Sequence, residues 1–165
     1  MSYKSSTISA AVAGNWLQAN SPFISNNIGV NLQTALTLSA GSGAAQANSI
    51  YASPSTLTVS TGTPTVVDLA SVTNPDGTSI TWSDILAIAI VNLSTTAGQD
   101  ITVGGGTNPV VSLFTGNLII KSGGFAIIAC AQATGYAFNS STAHTLEFQV
   151  AAGTSVPFGI IVIGH

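Results

Sequence analysis

Charge is what this sequence has least of. Asp and Glu together number 5 and Lys and Arg 2 in 165 residues, so charged side chains make up 4% of the chain, where a soluble domain ordinarily carries about 25%. The carriers are Lys4, Lys121, Asp68, Asp76, Asp84, Asp100 and Glu147. Two cations cannot neutralise a run of phosphates or hold an anionic bilayer, so neither nucleic acid nor membrane is an expected partner. A net charge of −3 is too dilute to form an acidic docking face. Cysteine is nearly absent as well: Cys130 is alone, which excludes an intrachain disulfide and a cysteine-only zinc site. No apolar run approaches the ~20 residues of a membrane-spanning helix. The small-residue stretch Ile8–Gly14 lacks the apolar strength of a secretory leader. It reads instead as part of an N-terminal arm.

Candidate bases are equally scarce. Nucleophilic catalysis needs Ser, Thr or Cys within hydrogen-bond reach of a base that a third group orients. Here the histidines are His144, whose nearest acid in sequence is Glu147, and His165, which follows Gly164 and is expected to be mobile. Cys130 sits in an apolar run and reads as a small core residue. The five acids are scattered and mostly beside turns. Asp76 belongs to Asn74-Pro75-Asp76-Gly77, where Pro presets φ and Gly closes the turn. Gly104-Gly105-Gly106 has neither the Lys-Ser/Thr ending nor the helix of a phosphate loop. The triplets Asn92-Leu93-Ser94 and Asn139-Ser140-Ser141 match the glycosylation pattern, which matters only on a secreted chain. No catalytic residue, metal ligand or cofactor-binding residue is assigned, and the expectation is a non-enzymatic protein without a cofactor.

What is abundant is Ser and Thr, 41 residues together, and apolar residues, at 45%. A surface of hydroxyls and amides hydrates well but presents little mutual repulsion, which favours association. Period-2 alternation runs from Val30 onward. Val30, Leu32, Leu36 and Leu38 share one parity. Leu57 and Val59 alternate with threonines, and Leu146, Phe148 and Val150 alternate with Thr145, Glu147 and Gln149.

Asp84–Leu93 is different, because both parities are apolar. Leu86, Ile88 and Ile90 are expected to fill a core while Ala87 and Ala89 offer a smooth reverse face for another element or chain. Helix is the competitor; clustered β-branched residues and a short run favour strand. Phe125–Ala131 and Val156–Ile163 repeat the doubly apolar character, predicting strands covered on both sides.

The expected fold is therefore all-β: an antiparallel β-sandwich, jelly-roll-like, of about eight strands over residues 29–165, preceded by an extended N-terminal arm, or a short helix, over residues 1–28. Trp16 and Phe23 in the arm, Ala87 and Ala89 on the smooth face, and Trp82 are the candidate interface residues.

The segments Ala47–Tyr51, Ser55–Leu57, Val67–Ala70, Asp76-Gly77, Ile80–Trp82 and Leu86–Asn92, followed by Ile101–Gly105, Lys121–Gly124 and Ile160–Gly164, resemble small structural proteins of tailed-bacteriophage virions. The resemblance spans roughly residues 47–164 and carries no catalytic residues. It implies a virion location and the role of a head decoration or cement protein, bound to the major capsid protein and assembled as a homo-oligomer, with a trimer favoured. Two other readings of the composition are a receptor- or carbohydrate-binding sandwich at a phage tail or fibre, using Trp82 or Tyr136, and a bacterial surface-layer or coat subunit.

Overall fold

The computed structural model describes residues 4–21, 24–53, 56–104, 106–110, 116–151 and 155–165, with the side chains of residues 14–32 outside that description. The described residues form thirteen strands in three sheets, with a single 3-10 turn at Leu69–Ser71. Among the described residues the chain is all-β, and its pairings are antiparallel except for one short parallel strand pair and an isolated parallel bridge between Pro109 and Thr145.

Two sheets face each other. The first is six-stranded and is centred on β7 (Asp84–Asn92) and β13 (Val156–Gly164), flanked by β10 (Phe125–Ala129) and β4 (Ser49–Ala52) in the order β10-β7-β13-β4. Two further pieces extend existing lines of this ladder: β5 (Leu57–Val59) also pairs β13, and β11 (Tyr136–Ala137) also pairs β7. The second sheet runs β6 (Thr65–Asp68), β12 (Thr145–Val150), β8 (Ile101–Val103) and β9 (Leu118–Ile120). The strand count exceeds the expected eight partly because two edge lines of the first sheet are broken, one between β4 and β5 and one between β10 and β11.

Alternation explains the core between them. Ile88 and Ile90 of β7, and Val156, Phe158, Ile160 and Val162 of β13, meet Leu146, Phe148 and Val150 of β12 and Ile101 and Val103 of β8 in one buried cluster. The Phe148 and Phe158 rings stack across the sheets with centroids 4.3 Å apart. Each fully buried side chain of this size contributes about 1.5–3 kcal/mol.

The parity of β7 departs from the sequence expectation at one point. β13 pairs Ile163 with Ala87 but Gly164 with Ile85, a bulge that leaves Leu86 as the extra residue. Ile85 stays in the main core, whereas Leu86 joins Ala87 in a second cluster on the outer side. Gly164 fits here because a Cβ would collide with the Asp84 carbonyl oxygen and lie 3.0 Å from the Trp82 ring.

His165 is not mobile in this fold. It is 6% exposed, and its carbonyl accepts from the Ser83 and Asp84 amides at 2.5 and 2.8 Å. The Asn74–Gly77 turn forms as its chemistry requires, with the Gly77 amide donating to the Asn74 carbonyl at 2.8 Å and Gly77 at φ +85°. The Asn74 side chain then accepts from the Ile50 amide at 3.0 Å, tying the turn to β4.

The N-terminal region forms a third sheet. β1 (Ser5–Ser21) and β2 (Ile24–Ala40), 17 residues each, make an antiparallel hairpin that reaches roughly 55 Å at 3.2–3.4 Å per residue. Its described residues are strand, so the arm is extended and the short-helix alternative fails there. β2 begins before residue 28, and the hairpin continues through the expected arm boundary. Among the described residues only β3 (Gln46–Ala47) adds to it, parallel to the end of β2 through Ser39 and Ala40.

Candidate functional interface

The outer faces of the two facing sheets differ in kind. On the four-stranded sheet, outward positions include Glu147, Gln149 and Thr102, in register with Val66 and Ile119, and Gln149 donates to the Glu147 carboxylate. That face mixes polar side chains with Val66 and Ile119, which are 52% and 57% exposed.

The outer face of the six-stranded sheet is apolar. Register places Phe125 beside Val91, Ile127 beside Ala89, and Ala89 beside Ile161, which in turn pairs with Ala52. Phe125 is 70% exposed, Ile161 43% and Ile127 37%. Together with Val91, Ala52 and Gly159 they line a groove of about 540 Å³. The expectation that β10 is covered on both sides is thus corrected: within one chain its Phe125 and Ile127 side stays open, because the hairpin reaches only the neighbouring part of the sheet.

That neighbouring part is closed by the hairpin's base. Leu38, Ala47, Leu86, Ala87 and Ile163 are buried together, with Ile8, Leu36, Ile50 and Cys130 packed around them. Beside them a second groove, lined by Ser6–Ser9, Ala89, Ile127 and Ile161, continues into the open one. Ala87 is therefore covered, at 3% exposure, by the chain's own arm, and Ala89 is half-buried at the boundary between covered and open surface. Cys130 lies just past β10 in this outer cluster, half-buried rather than deep in the main core.

Trp82, an expected interface residue, is packed inside the chain itself. It is 5% exposed within the main core, and its indole N–H donates to the Leu69 carbonyl at 2.9 Å. Sequence position, on a connection just before β7, hid that anchor. Phe23 and the Trp16 side chain lie outside the described residues.

His144 gains a partner that its sequence neighbourhood did not supply. Its Nδ1 lies 2.8 Å from Asp68 Oδ1, across 76 residues of chain. The same carboxylate accepts from the Ala70 amide at 2.9 Å and so caps the 3-10 turn. The hydrogen bond from His144 is the main reason the Asp68 carboxyl is held below its ordinary pKa. The His144 backbone is also engaged, its carbonyl accepting from Leu69 and its amide donating to Asn108, so the pair joins β6, β12 and the 106–110 segment.

Lys121 is paired with Asp100 at 2.6 Å, and this ammonium is the leading cause of the lowered Asp100 pKa. Among the described residues no group of three or more His, Cys, Asp or Glu side chains could hold a metal ion, and no helix is long and apolar enough to cross a membrane. No protein-family model, curated protein or solved structure matches the chain.

Proposed function

We propose that this chain is a non-enzymatic structural subunit of a tailed-phage virion, a head decoration or cement protein that stabilises the shell by packing on the major capsid protein and on copies of itself as a trimer. The observation that carries the reading is the uncharged outer face of the six-stranded sheet, with Phe125, Ile127 and Ile161 open beside a long hairpin. Such a surface is costly on a free subunit and gains stability when covered.

We read the two facing sheets as a jelly roll. If β4 with β5 and β10 with β11 are each taken as one interrupted strand, eight lines remain, in the orders β10-β7-β13-β4 and β6-β12-β8-β9. Consecutive lines then alternate between the sheets except for β8 and β9, which pair with each other, as in two interleaved Greek keys, an arrangement found in viral capsid and lectin domains. Fold alone does not assign function. The apolar face and the scarcity of charge incline the reading to assembly.

A second reading, glycan binding at a tail or fibre, has a specific feature in its favour: a cleft lined by Thr81, Trp82, Phe138, Asn139 and Ser140. The burial of Trp82 leaves little ring surface for stacking, so this reading ranks behind assembly. Imaging the purified particle by cryo-electron microscopy tests the proposal. The expected result is density for this fold on the head at junctions between capsid subunits. Density at the tail tip, together with glycan-array binding, would favour the second reading, and absence from the particle would end both.

A further inference from the structure

We infer that β10 is a docking edge for a second copy of this chain: two copies join their β10 strands antiparallel about a two-fold axis at Ile127, making one continuous sheet. The contact goes beyond the virion reading and does not depend on it.

The first observation is which backbone groups of β10 are free. The Asn92 amide donates to the Gly124 carbonyl and the Cys130 amide to the Leu86 carbonyl, both at 2.9 Å. With Ala126 opposite Ile90 and Ile128 opposite Ile88, the even-numbered residues turn their backbone toward β7. An antiparallel strand alternates its hydrogen-bonding direction, so the backbone groups of Phe125, Ile127 and Ala129 point away from β7. Among the described residues no strand lies beyond β10, and no amide or carbonyl of these three has a hydrogen-bond partner. Their side chains are exposed. Even the core-facing residues feel the opening, since Ala126 and Ile128 pack against the main cluster yet are only half-buried.

The second observation is how the other edges of the two facing sheets are treated. Edges that do not pair are ordinarily blunted by charge, proline, brevity or a cover. At the opposite edge of the same sheet, the Ile50 amide of β4 donates to the Asn74 side chain at 3.0 Å, and Pro54 follows before β5. In the four-stranded sheet, β6 ends in the carboxylate of Asp68, and β9 is 3 residues long and runs into Lys121. Among the described residues β10 has none of these devices. Phe125–Ala129 is apolar throughout, without proline or charge, and an edge left in that state pairs readily.

The strand is complementary to itself. Setting Ile127 opposite its own copy sets Phe125 opposite Ala129 on either side, large against small. In this register alone do all the outward residues of both copies pair, each pair exchanging two hydrogen bonds. Phe125 and Ile127 of both copies then lie on one side of the joined sheet, where cross-strand neighbours shield one another from water. Because both copies use the same strand, the contact is isologous and closes with two chains, which lets it tie one proposed trimer to the next. Strands this short bury less than a standard interface, so the pairing is weak between free chains and gains strength where copies are held side by side.

Register-specific cross-linking tests this in the full chain, with Cys130→Ala as background. Residues directly opposite in such a pair have Cα atoms about 5.5 Å apart, within disulfide range. Under mild oxidation Ile127→Cys should cross-link to itself at least ~10-fold faster than Gln149→Cys, on the outer face of the other sheet, whose thiols meet only by collision. Phe125→Cys and Ala129→Cys should each cross-link little alone and readily when mixed. Adding Ile127→Pro to both members of that mixture removes an amide that points away from β7 and spares the ladder. It should return cross-linking to the Gln149→Cys level, and Ile127→Lys, which blunts the edge by charge, should do the same. Near-ultraviolet dichroism of the buried Trp82 checks that each variant is folded.

Equal rates for Ile127→Cys and Gln149→Cys would overturn the pairing and leave the edge to a strand of another chain. Self-linking of Phe125→Cys as fast as that of Ile127→Cys, or a mixed pair unaffected by both edge substitutions, would overturn it as well. The measurement is made on free protein, so absence of the chain from the particle would remove the virion role without touching it.

Discussion

Asn92 shows how a polar side chain can sit at 0% exposure in a molecule this apolar. Its amide nitrogen donates to the Gln99 and Ile120 carbonyls at 2.8 and 3.2 Å, and its oxygen accepts from the Ser94 amide at 3.0 Å. The side chain thus satisfies three backbone groups where β7 ends. Asn92→Ala leaves those groups buried without partners and should cost about 2–4 kcal/mol, read as a lower urea midpoint at unchanged m-value. Asp68 makes a different demand. Its folded pKa is depressed, so the stability it supplies is complete above the unfolded value of about 3.9 and is lost as pH falls through the lower folded value. Asp76, held down chiefly by the Thr78 hydroxyl, and Asp100 act in the same direction. Asp68→Asn should therefore flatten the acid limb of stability against pH, by a modest amount because the carboxylate is partly exposed. Equal slopes for mutant and wild type would show that His144 adds nothing. The Asp68–His144 pair was not visible in the sequence, because spacing along the chain carries no information about a contact 76 residues apart. The Asn74–Gly77 turn was visible because its geometry is local.

Among the elements, the strands from β5 to β13 whose side chains alternate were legible, since one wet and one dry face impose period 2 on the sequence. β7 was legible as a strand covered on both faces, but the bulge that turns Leu86 outward was not. A bulge is set by the partner strand and by the tight approach of Gly164 to Asp84, neither of which has a period. The hairpin was half legible. In β1 the large residues Ile8, Val12 and Trp16 are separated by small ones at Ala10 and Gly14, so the alternation is diluted and a spacing of four imitates a helix. Pairing with β2 supplies the missing half of each row. The hairpin's base belongs to the domain, through Leu38 and Ile8, while Val12, the next large residue along β1, is exposed. Replacing residues 13–31 by a two-residue Asn-Gly turn should leave the domain's stability within about 1 kcal/mol, measured by thermal denaturation of the trimmed chain. A large loss of stability would place the distal hairpin within the folding unit.

For the whole molecule the decisive quantity is how little electrostatics can contribute. One of the two lysines is already spent on Asp100. The outer face of the six-stranded sheet carries no charge among the residues lining its groove. Association through that face therefore rests on apolar burial, and its response to the solvent should separate it from ordinary polar recognition. Between roughly 0.05 and 0.5 M sodium chloride the Debye length falls from about 14 to about 4 Å, enough to weaken any contact built on ion pairs. Here the dissociation constant measured by sedimentation should change less than about 3-fold over that range. Ammonium sulfate, which strengthens effective burial by exclusion from the surface, should tighten it, and calorimetry should give a negative heat-capacity change for assembly. A steep loss of affinity with sodium chloride would mean that the few charged side chains, Lys4 among them, dominate the contact. In that case the apolar face would have to find its cover in something other than this chain.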